Sequence, residues 1–441
     1  MDLTRAAYNS IMNNFYILNR LFNNKELLLV GFGQLITALT GFIFIKLVSH
    51  YVSVDQYGRY ALALTISGLV GLFPFGIFDQ AVSRYIPIYR SKNQYKENYT
   101  NVLLINCVWF GMYVLIFAAI KYFFPLVIPL DIRLMLPALI LYTLFNTLRN
   151  TLLNIENSNR NRGVVIISRT FEGVARITLL LLFIREAFEI KAEGLLNLSA
   201  MVFALNIMYV LYRNRADYSF AGISVSKTME NLKCYFVFSM PLFIWAGFGW
   251  AQSYLPIWFL KWHDPNGRMY LVGQFAMINT IGALIPSQLV GVISMYIAPI
   301  IYQKEPNQPG YAKAIVDKAA LYLGMIFLLI LITFFFLHGP IMLILTSKQY
   351  VPSSWLLPYA FLAAGFLGVG QIWTLELFAY HQTRKLIIAN IAPSVVTLLL
   401  SYTLIPHWDI VGAVFCILFA GLTYMVLVYI AKNRFVIRLA S

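Results

Sequence analysis

Apolar runs of about 20 residues recur along the whole chain, and a helix needs about 20 apolar residues to cross a bilayer. Only 12% of the 441 residues are Asp, Glu, Lys or Arg, against roughly 25% in soluble proteins, and the mean hydropathy is +0.72. We therefore predict an all-α integral membrane protein. Soluble enzymes, secreted scaffolds and disordered chains are excluded. A transmembrane barrel would show alternating segments of about ten residues instead.

The runs predict twelve transmembrane helices, numbered here as spans one to twelve, joined by short connections. The longest inner connection, 213–234, divides them into two parallel six-helix bundles, 27–212 and 235–431, around a central cavity. An N-terminal arm, 1–26, and a tail, 432–441, flank the bundles. The predicted spans are 27–48, 57–78, 102–120, 134–153, 163–184, 194–212, 235–259, 271–297, 319–337, 355–378, 386–405 and 410–431.

Basic residues orient the predicted spans. If the N-terminus is cytoplasmic, 22 of the 33 Lys and Arg residues flank the spans on the inside, 7 lie outside and 4 lie within spans. Because cytoplasmic flanks carry the excess of Lys and Arg, both termini are predicted to be cytoplasmic. The arm 1–26 lacks the short apolar core of a signal peptide. It is predicted to lie along the inner leaflet or to form a frayed polar tail.

The cysteines and histidines show no spacing typical of a metal or disulfide framework, since three cysteines and five histidines are scattered singly. We predict no metal and no cofactor. The net charge of +15 is assigned to the inner flanks rather than to a nucleic-acid partner.

Span five carries three ionisable residues, Arg169, Glu172 and Arg176, whose spacings of three and four place them on one helical face. Each costs at least about 2.5–3.5 kcal/mol at mid-depth, so each should face a cavity or a partner. Two interpretations remain open. The three form a self-satisfied ladder that fastens span five to a neighbour, or they form a cationic lumen for an anionic head group, because guanidinium binds phosphate bidentately.

Span four carries a polar line of Asn146, Asn150 and Asn154, spaced by four residues, with Arg149 beside it. Amide side chains donate to and accept from sugar hydroxyls and phosphate oxygens. They also form hydrogen bonds between membrane helices. Both interpretations are open.

Isolated polar residues give further candidates for the lumen. Gln34 in span one and Gln252 in span seven are interpreted as facing the lumen or as bridging helices. Glu376 in span ten is a candidate for cation coupling, although its low position equally predicts contact with the inner surface.

Four residues near span ends receive simpler interpretations. Lys46 is predicted to snorkel to the outer interface, and Tyr254 and Trp258 are predicted to belong to an interfacial aromatic belt. Asp79 is interpreted as a capped or solvated helix end.

Several segments resemble the Wzx-type O-antigen and polysaccharide flippases, transporters of lipid-linked oligosaccharides within the multidrug/oligosaccharidyl-lipid/polysaccharide superfamily. Asp409 stands where these proteins usually have Gly. The matching segments are Gly31-Phe-Gly-Gln-Leu, Lys46-Leu-Val-Ser-His-Tyr-Val, Asp55-Gln-Tyr-Gly-Arg-Tyr-Ala, Gly71-Leu-Phe-Pro-Phe-Gly-Ile-Phe-Asp-Gln-Ala-Val-Ser-Arg, Ile341-Met-Leu-Ile-Leu-Thr-Ser-Lys-Gln-Tyr and Ile405-Pro-His-Trp-Asp-Ile-Val-Gly-Ala-Val.

The resemblance implies a non-enzymatic flippase in the bacterial inner membrane. Its cargo would be undecaprenyl-pyrophosphate-linked oligosaccharide, an O-antigen or other surface polysaccharide repeat unit, moved from the inner to the outer leaflet by alternating access. The implied partners are this glycolipid, membrane lipids, and a polysaccharide polymerase with its chain-length regulator.

The charges inside the spans favour an anionic cargo, because four are cationic (Lys46, Arg59, Arg169, Arg176) and two are acidic (Glu172, Glu376). A cation-coupled multidrug exporter of the same superfamily, which would need lumenal carboxylates, is the first alternative. A membrane polysaccharide polymerase or lipid-linked glycosyltransferase is the second. The short outer connections leave little room for a catalytic loop of that kind.

Overall fold

A computed structural model describes residues 25–91, 93–123, 130–186, 190–217, 225–264, 269–305, 308–380 and 382–439. The predicted N-terminal arm lies outside these ranges except for its last two residues. Across the described ranges every regular element is a helix, as predicted.

The helices follow the predicted spans in order. Those of the first half are α1 Lys25–Tyr51, α2 Val54–Val70, α3 Ile77–Ser91, α4 Tyr95–Phe123, α5 Leu130–Ser158, α6 Arg162–Arg185 and α7 Ala192–Arg213. Those of the second half are α8 Val225–His263, α9 Tyr270–Lys304, α10 Tyr311–Leu345, α11 Leu357–Ala379 and α12 Leu386–Leu439. Short 3-10 turns cover Lys348–Leu356 and Thr383–Lys385.

The second predicted span is bent rather than continuous. A π-helical segment, Gly71–Gly76, joins α2 to α3, and the two helices meet at 49°. Phe73 has non-helical angles there (φ −115°, ψ 112°), immediately before Pro74. Proline cannot donate a backbone hydrogen bond and disfavours helical angles in the residue before it. The bend lets the chain continue as α3 well beyond the predicted end at residue 78.

The last two predicted spans are the two arms of α12. The helix is broken at Asp409, where φ is 45° and ψ is −121°. A Cβ atom built on Gly412 would lie 2.7 Å from the carbonyl oxygen of Leu404. Leu404 and Gly412 are eight residues apart, and in a continuous helix they would be separated by about 12 Å along the axis. Their close approach therefore means that the chain reverses direction at Asp409.

The exterior is apolar, as a bilayer requires. Among the described residues, seven helices are long and apolar enough to cross a membrane by length and composition, or up to eight when the bent pair counts as one span. Large side chains such as Leu115 and Phe336 are 70% and 81% exposed. In water such a surface would be an aggregation hazard, whereas lipid tails cover it at no cost. The protein is a multi-pass membrane protein.

The halves are in backbone contact where α2 crosses α9. A Cβ atom on Gly58 would overlap the carbonyl oxygen of Met269 and lie 2.9 Å from the Gly273 nitrogen. A Cβ atom on Gly273 would overlap the carbonyl oxygen of Val54. Only glycine permits this approach. We call this crossing, together with the contacts of Thr65 and Lys46 described next, the seal.

Side chains extend the seal along the same end of the molecule. Trp250 and Trp258 of α8 donate from Nε1 to the carbonyl oxygen (2.8 Å) and Oγ1 (3.1 Å) of Thr65. Lys46 of α1 donates to the carbonyl oxygens of Leu343 (2.7 Å) and Thr346 (2.6 Å) at the end of α10. Its ammonium group therefore caps a helix C-terminus of the other half, and the snorkelling of Lys46 to the outer interface stays a prediction.

At the opposite end, the first part of α8 packs against the first half. Tyr89 donates to Asn231 Oδ1 at 2.9 Å, and Tyr235 donates to Asn98 Oδ1 at 2.6 Å. The helix begins at Val225, inside the segment 213–234 that the sequence predicts as a linker.

Candidate functional site

A cavity of about 780 Å³ lies between the halves. Its volume falls within the roughly 300–1,000 Å³ typical of ligand sites. Helices α1, α2, α3, α5 and α6 supply most of the wall, and α8 and α9 close it with Tyr254, Leu284, Gln288 and Met295. The charged groups on the wall are Asp79, Arg149, Arg169, Glu172 and Arg176, an excess of one positive charge.

Helix α6 presents Arg169, Glu172 and Arg176 to the cavity together, as their spacing predicts. The adjoining wall is α1, which packs closely on α6. A Cβ atom on Gly173 would overlap Thr40 Oγ1, and one on Gly33 would lie 2.9 Å from Ile166 Cγ1. Two glycines therefore let α1 lie directly beside the arginines.

Glu172 is neutralised from another helix. Arg149 of α5 donates from Nε to Glu172 Oε1 at 2.5 Å and forms a second hydrogen bond to Oε2. Asn206 of α7 also donates to Oε1. Among the residues that the structure describes, no carboxylate lies within ion-pair distance of Arg169 or Arg176. The Arg-Glu-Arg ladder within span five is thus not formed, although Glu172 does fasten α6 to its neighbours.

The asparagine line of α5 faces the cavity at Asn146, Asn150 and Asn154. Asn150 Oδ1 accepts a hydrogen bond from Arg149 at 2.6 Å, and Asn154 donates to Asp79 Oδ2 at 3.4 Å. The amides therefore line the cavity, and Asn154 also bonds a residue of another helix, whereas their binding to sugar or phosphate stays a prediction.

Asp79 belongs to the wall and is not a solvated helix end. It is 4% exposed, and Thr151 Oγ1 donates to its Oδ1 at 2.5 Å. The interpretation of Asp79 as solvated is wrong because α3 continues past it at an angle to α2. Its carboxylate accepts hydrogen bonds from the side chains of Thr151 and Asn154 of α5, so Asp79 fastens α3 to α5.

Two aromatic residues of α8, Tyr254 and Trp258, face inward. Tyr254 lines the cavity, and Trp258 donates to Thr65 in the seal. Their assignment to an interfacial belt is therefore wrong. Sequence position near a predicted span end does not reveal the side of the helix that faces the other half.

Three predicted site residues lie off the cavity wall: Gln34, Gln252 and Glu376. Glu376 is buried in the second half, where Lys432 Nζ lies 3.2 Å from its Oε2. Lys432 also forms an ion pair with Asp317. A coupling cation at Glu376 would have to compete with this ammonium group.

Within the described ranges, no group of three His, Cys, Asp or Glu side chains is arranged to hold a metal ion. The chemistry that the cavity offers is that of guanidinium and amide groups, which bind anions and hydroxyl groups.

Residues 25–304 match the family described as polysaccharide biosynthesis protein, which is more than half of the chain. The chain belongs to the polysaccharide biosynthesis protein family. This confirms the resemblance noted in the sequence. No curated protein sequence matches this family member significantly.

Solved transporter structures share the fold of this polysaccharide biosynthesis protein. The lipid II flippase MurJ in an inward closed conformation superposes with a TM-score of 0.67 at 14% identity, covering 92% of this chain and 87% of that chain. An inward-facing multidrug resistance MATE family transporter of the MOP superfamily gives 0.67 at 16% identity, covering 92% and 94%.

A MOP superfamily transporter from Pyrococcus furiosus, described as having a binding pocket of reverse polarity, gives 0.63 at 12% identity, covering 94% and 96%. At such identities the similarity shows the fold alone. These three neighbours are described as a flippase and as transporters.

Proposed function

We propose that the protein is a flippase that moves undecaprenyl-pyrophosphate-linked oligosaccharide from the inner to the outer leaflet of the bacterial inner membrane. The observation that carries the proposal is the pair of arginines, Arg169 and Arg176, on the cavity wall without an ion-pair partner in the described ranges. A cation inside a membrane protein is retained where it has a function, because its desolvation is costly.

The charge of a pyrophosphate complements this wall. Guanidinium groups bind phosphate oxygens through paired, charge-assisted hydrogen bonds. The bacterial interior is electrically negative, so each negative charge that moves outward gains about 2.3 kcal/mol per 100 mV. We propose Arg169 and Arg176 as the phosphate ligands. Arg149, paired with Glu172, would complete the cationic face.

The glycan would lie along the asparagine line. Asn146, Asn150 and Asn154 offer donors and acceptors to sugar hydroxyls on the same wall as the arginines. The lipid tail would remain in the bilayer while the polar head group passes through the cavity. A polysaccharide polymerase and its chain-length regulator would then act on the translocated unit.

We propose that the chain crosses the membrane twelve times, with both termini cytoplasmic and with six-helix bundles at 27–212 and 235–431. Support comes from the bent pair α2 and α3, which would count as one crossing, and from α12, whose two arms would count as two. The cavity lies between the halves, and the seal closes one end of the contact between them. Rocking of the bundles would open the seal and close the cavity on the other side.

A cation-coupled multidrug exporter is the alternative, favoured by the fold shared with multidrug transporters. Such a carrier needs an accessible carboxylate for cation coupling. Glu376 is paired with Lys432 and Glu172 with Arg149. Asp79, the remaining carboxylate on the wall, is 4% exposed and accepts hydrogen bonds from Thr151 and Asn154, and the cavity retains a positive excess. This polarity favours an anionic cargo.

Replacing Arg176 with Ala should reduce surface polysaccharide at least about tenfold, because a hydrogen bond to a charged group contributes about 1.5–3 kcal/mol. Surface polysaccharide would be quantified in cells that carry the variant as their sole copy, with the membrane level of the protein measured in parallel. Arg185→Ala, an exposed position on the same helix, serves as the matched control.

Unchanged polysaccharide in the Arg176→Ala cells would contradict the proposal. Sensitivity of deletion cells to cationic dyes, with intact polysaccharide, would instead support the drug exporter.

A further inference from the structure

Two arginines of the cavity wall lie against one aromatic ring. The guanidinium carbons of Arg149 and Arg176 are 4.7 Å and 4.8 Å from the centre of the Phe203 ring. Phe203 is on α7, is 1% exposed and does not line the cavity. Both distances are within the roughly 6 Å over which a ring face attracts a cation.

The two arginines differ in whether a carboxylate neutralises them, so the Phe203 ring contributes differently to each. Arg149 is already neutralised by Glu172. Arg176 has no carboxylate within ion-pair distance in the described part of the chain, and its buried Nε has no hydrogen-bond partner there. The electronegative face of Phe203 therefore supplies a favourable interaction to Arg176 that occupies none of its N–H donors.

Other residues of α7 and α5 hold this arrangement in place. Asn206, one turn after Phe203, donates to Glu172 Oε1 and lies 3.5 Å from the carbonyl oxygen of Ser168. Tyr142 packs against Phe203 with ring centres 5.6 Å apart. Among its described residues α7 contributes none to the cavity wall. The helix thus supports the cationic face from behind.

We propose that Phe203 is a positioning residue for anion binding, which orients the Arg149 and Arg176 guanidinium groups while leaving the donors of Arg176 free for a phosphate. The inference rests on the proposed function, because it assigns the means by which that site keeps an unneutralised arginine. A carboxylate in place of the ring would hold Arg176 equally well but would cancel its charge. An aliphatic side chain would provide contact without the electrostatic attraction.

The test varies the ring electrostatics at nearly constant shape. Mono-, tri- and pentafluorophenylalanine would be incorporated at position 203 of the full chain. Binding of inorganic pyrophosphate to the purified protein in lipid nanodiscs would then be measured by calorimetry. Fluorine withdraws charge from the ring face, so the Kd should rise stepwise, by about tenfold at pentafluorophenylalanine.

Phe361 provides the matched control. It is also 1% exposed and packs against the rings of Phe327 and Phe334, 5.7 Å and 4.9 Å away. The same fluorinated series at Phe361 should leave the Kd unchanged. Thermal unfolding would show whether pentafluorophenylalanine at position 203 prevents folding. If it does, the Kd values of the mono- and trifluorophenylalanine proteins would be compared between positions 203 and 361.

The outcomes separate the two proposals. If Arg176→Ala abolishes pyrophosphate binding but the Kd stays constant across the fluorinated series at Phe203, the positioning role alone is overturned. Absence of pyrophosphate binding to the unmodified protein overturns the proposed function and the role of Phe203 with it. A graded loss at Phe203 with none at Phe361 supports both.

Discussion

Lys432 holds together three helices of the second half. It is 2% exposed and forms ion pairs with Asp317 of α10 and Glu376 of α11. Glu376 is almost completely buried, whereas the Asp317 side chain is 43% exposed. Loss of the ammonium group would therefore leave one carboxylate buried without a counter-charge.

Replacing Lys432 with Met should destabilise the protein by about 3–5 kcal/mol, the usual cost of removing one partner of a buried ion pair. Thermal unfolding of the purified protein would measure the change. Lys318→Met, at an exposed position on α10, is the control and should have little effect. The double variant Lys432→Met with Glu376→Gln should recover part of the loss. Equal stability of the two single variants would contradict the importance of the pair.

The site residues show how far sequence reasoning reaches at this scale. Spacing along one helix correctly placed Arg169, Glu172 and Arg176 on one face. It could not assign the partner of Glu172, since Arg149 is 23 residues away and Asn206 is 34 residues away in the opposite direction. Phe203 gave no signal at all. A phenylalanine in an apolar run looks the same whether lipid or guanidinium lies against it.

At the scale of elements, the reversal within α12 depends on the backbone of Asp409. Its φ of 45° with ψ of −121° resembles the first central position of a type II′ turn. Glycine adopts such angles readily, whereas a residue with a side chain pays about 1–3 kcal/mol. The preference for Gly at this place in the resembling family thus has a physical cause.

Replacing Asp409 with Gly should raise the thermal unfolding temperature, with a gain of about 1 kcal/mol in the free energy of unfolding. The companion Gly412→Ala should lower it, because the added Cβ would lie 2.7 Å from the Leu404 carbonyl oxygen. Differential scanning fluorimetry of both variants would show the two shifts. A fall in unfolding temperature for Asp409→Gly would mean that the carboxylate stabilises the turn by more than the backbone strain costs.

Hydropathy predicted helices in the right order but not their interruptions. The bend at Gly71–Gly76 lies within a continuous apolar run, so an average over that run cannot reveal it. The start of α8 at Val225 was not predicted either, because the helix begins before its apolar run. Its first turns are polar and lie before the apolar run, and Asn231 and Tyr235 form hydrogen bonds with α3 and α4.

At the scale of the whole molecule, the proposed alternating access requires the seal to open. The contact between Gly58 and Gly273 leaves no room for a side chain, so a bulkier residue there should favour the open arrangement. Thr65 reports on this opening, because it is buried under Trp250 and Trp258.

Replacing Gly58 with Ala should raise the reaction rate of a cysteine introduced as Thr65→Cys by a factor of about 5 to 150, because a backbone overlap costs about 1–3 kcal/mol in the sealed state. The rate would be measured with a maleimide on purified protein whose native cysteines are replaced. Gly111→Ala, where a Cβ meets nothing within 4 Å, is the control. Equal rates in the two variants would show that the crossing does not limit opening.

The close contact of Gly58 and Gly273 also restricts which missense mutations this protein can tolerate. Every single-base missense change in a glycine codon introduces a side chain, and any side chain at Gly58 or Gly273 meets a carbonyl oxygen of the facing helix. We therefore expect naturally occurring variants to avoid both codons, although neither residue lies on the cavity wall.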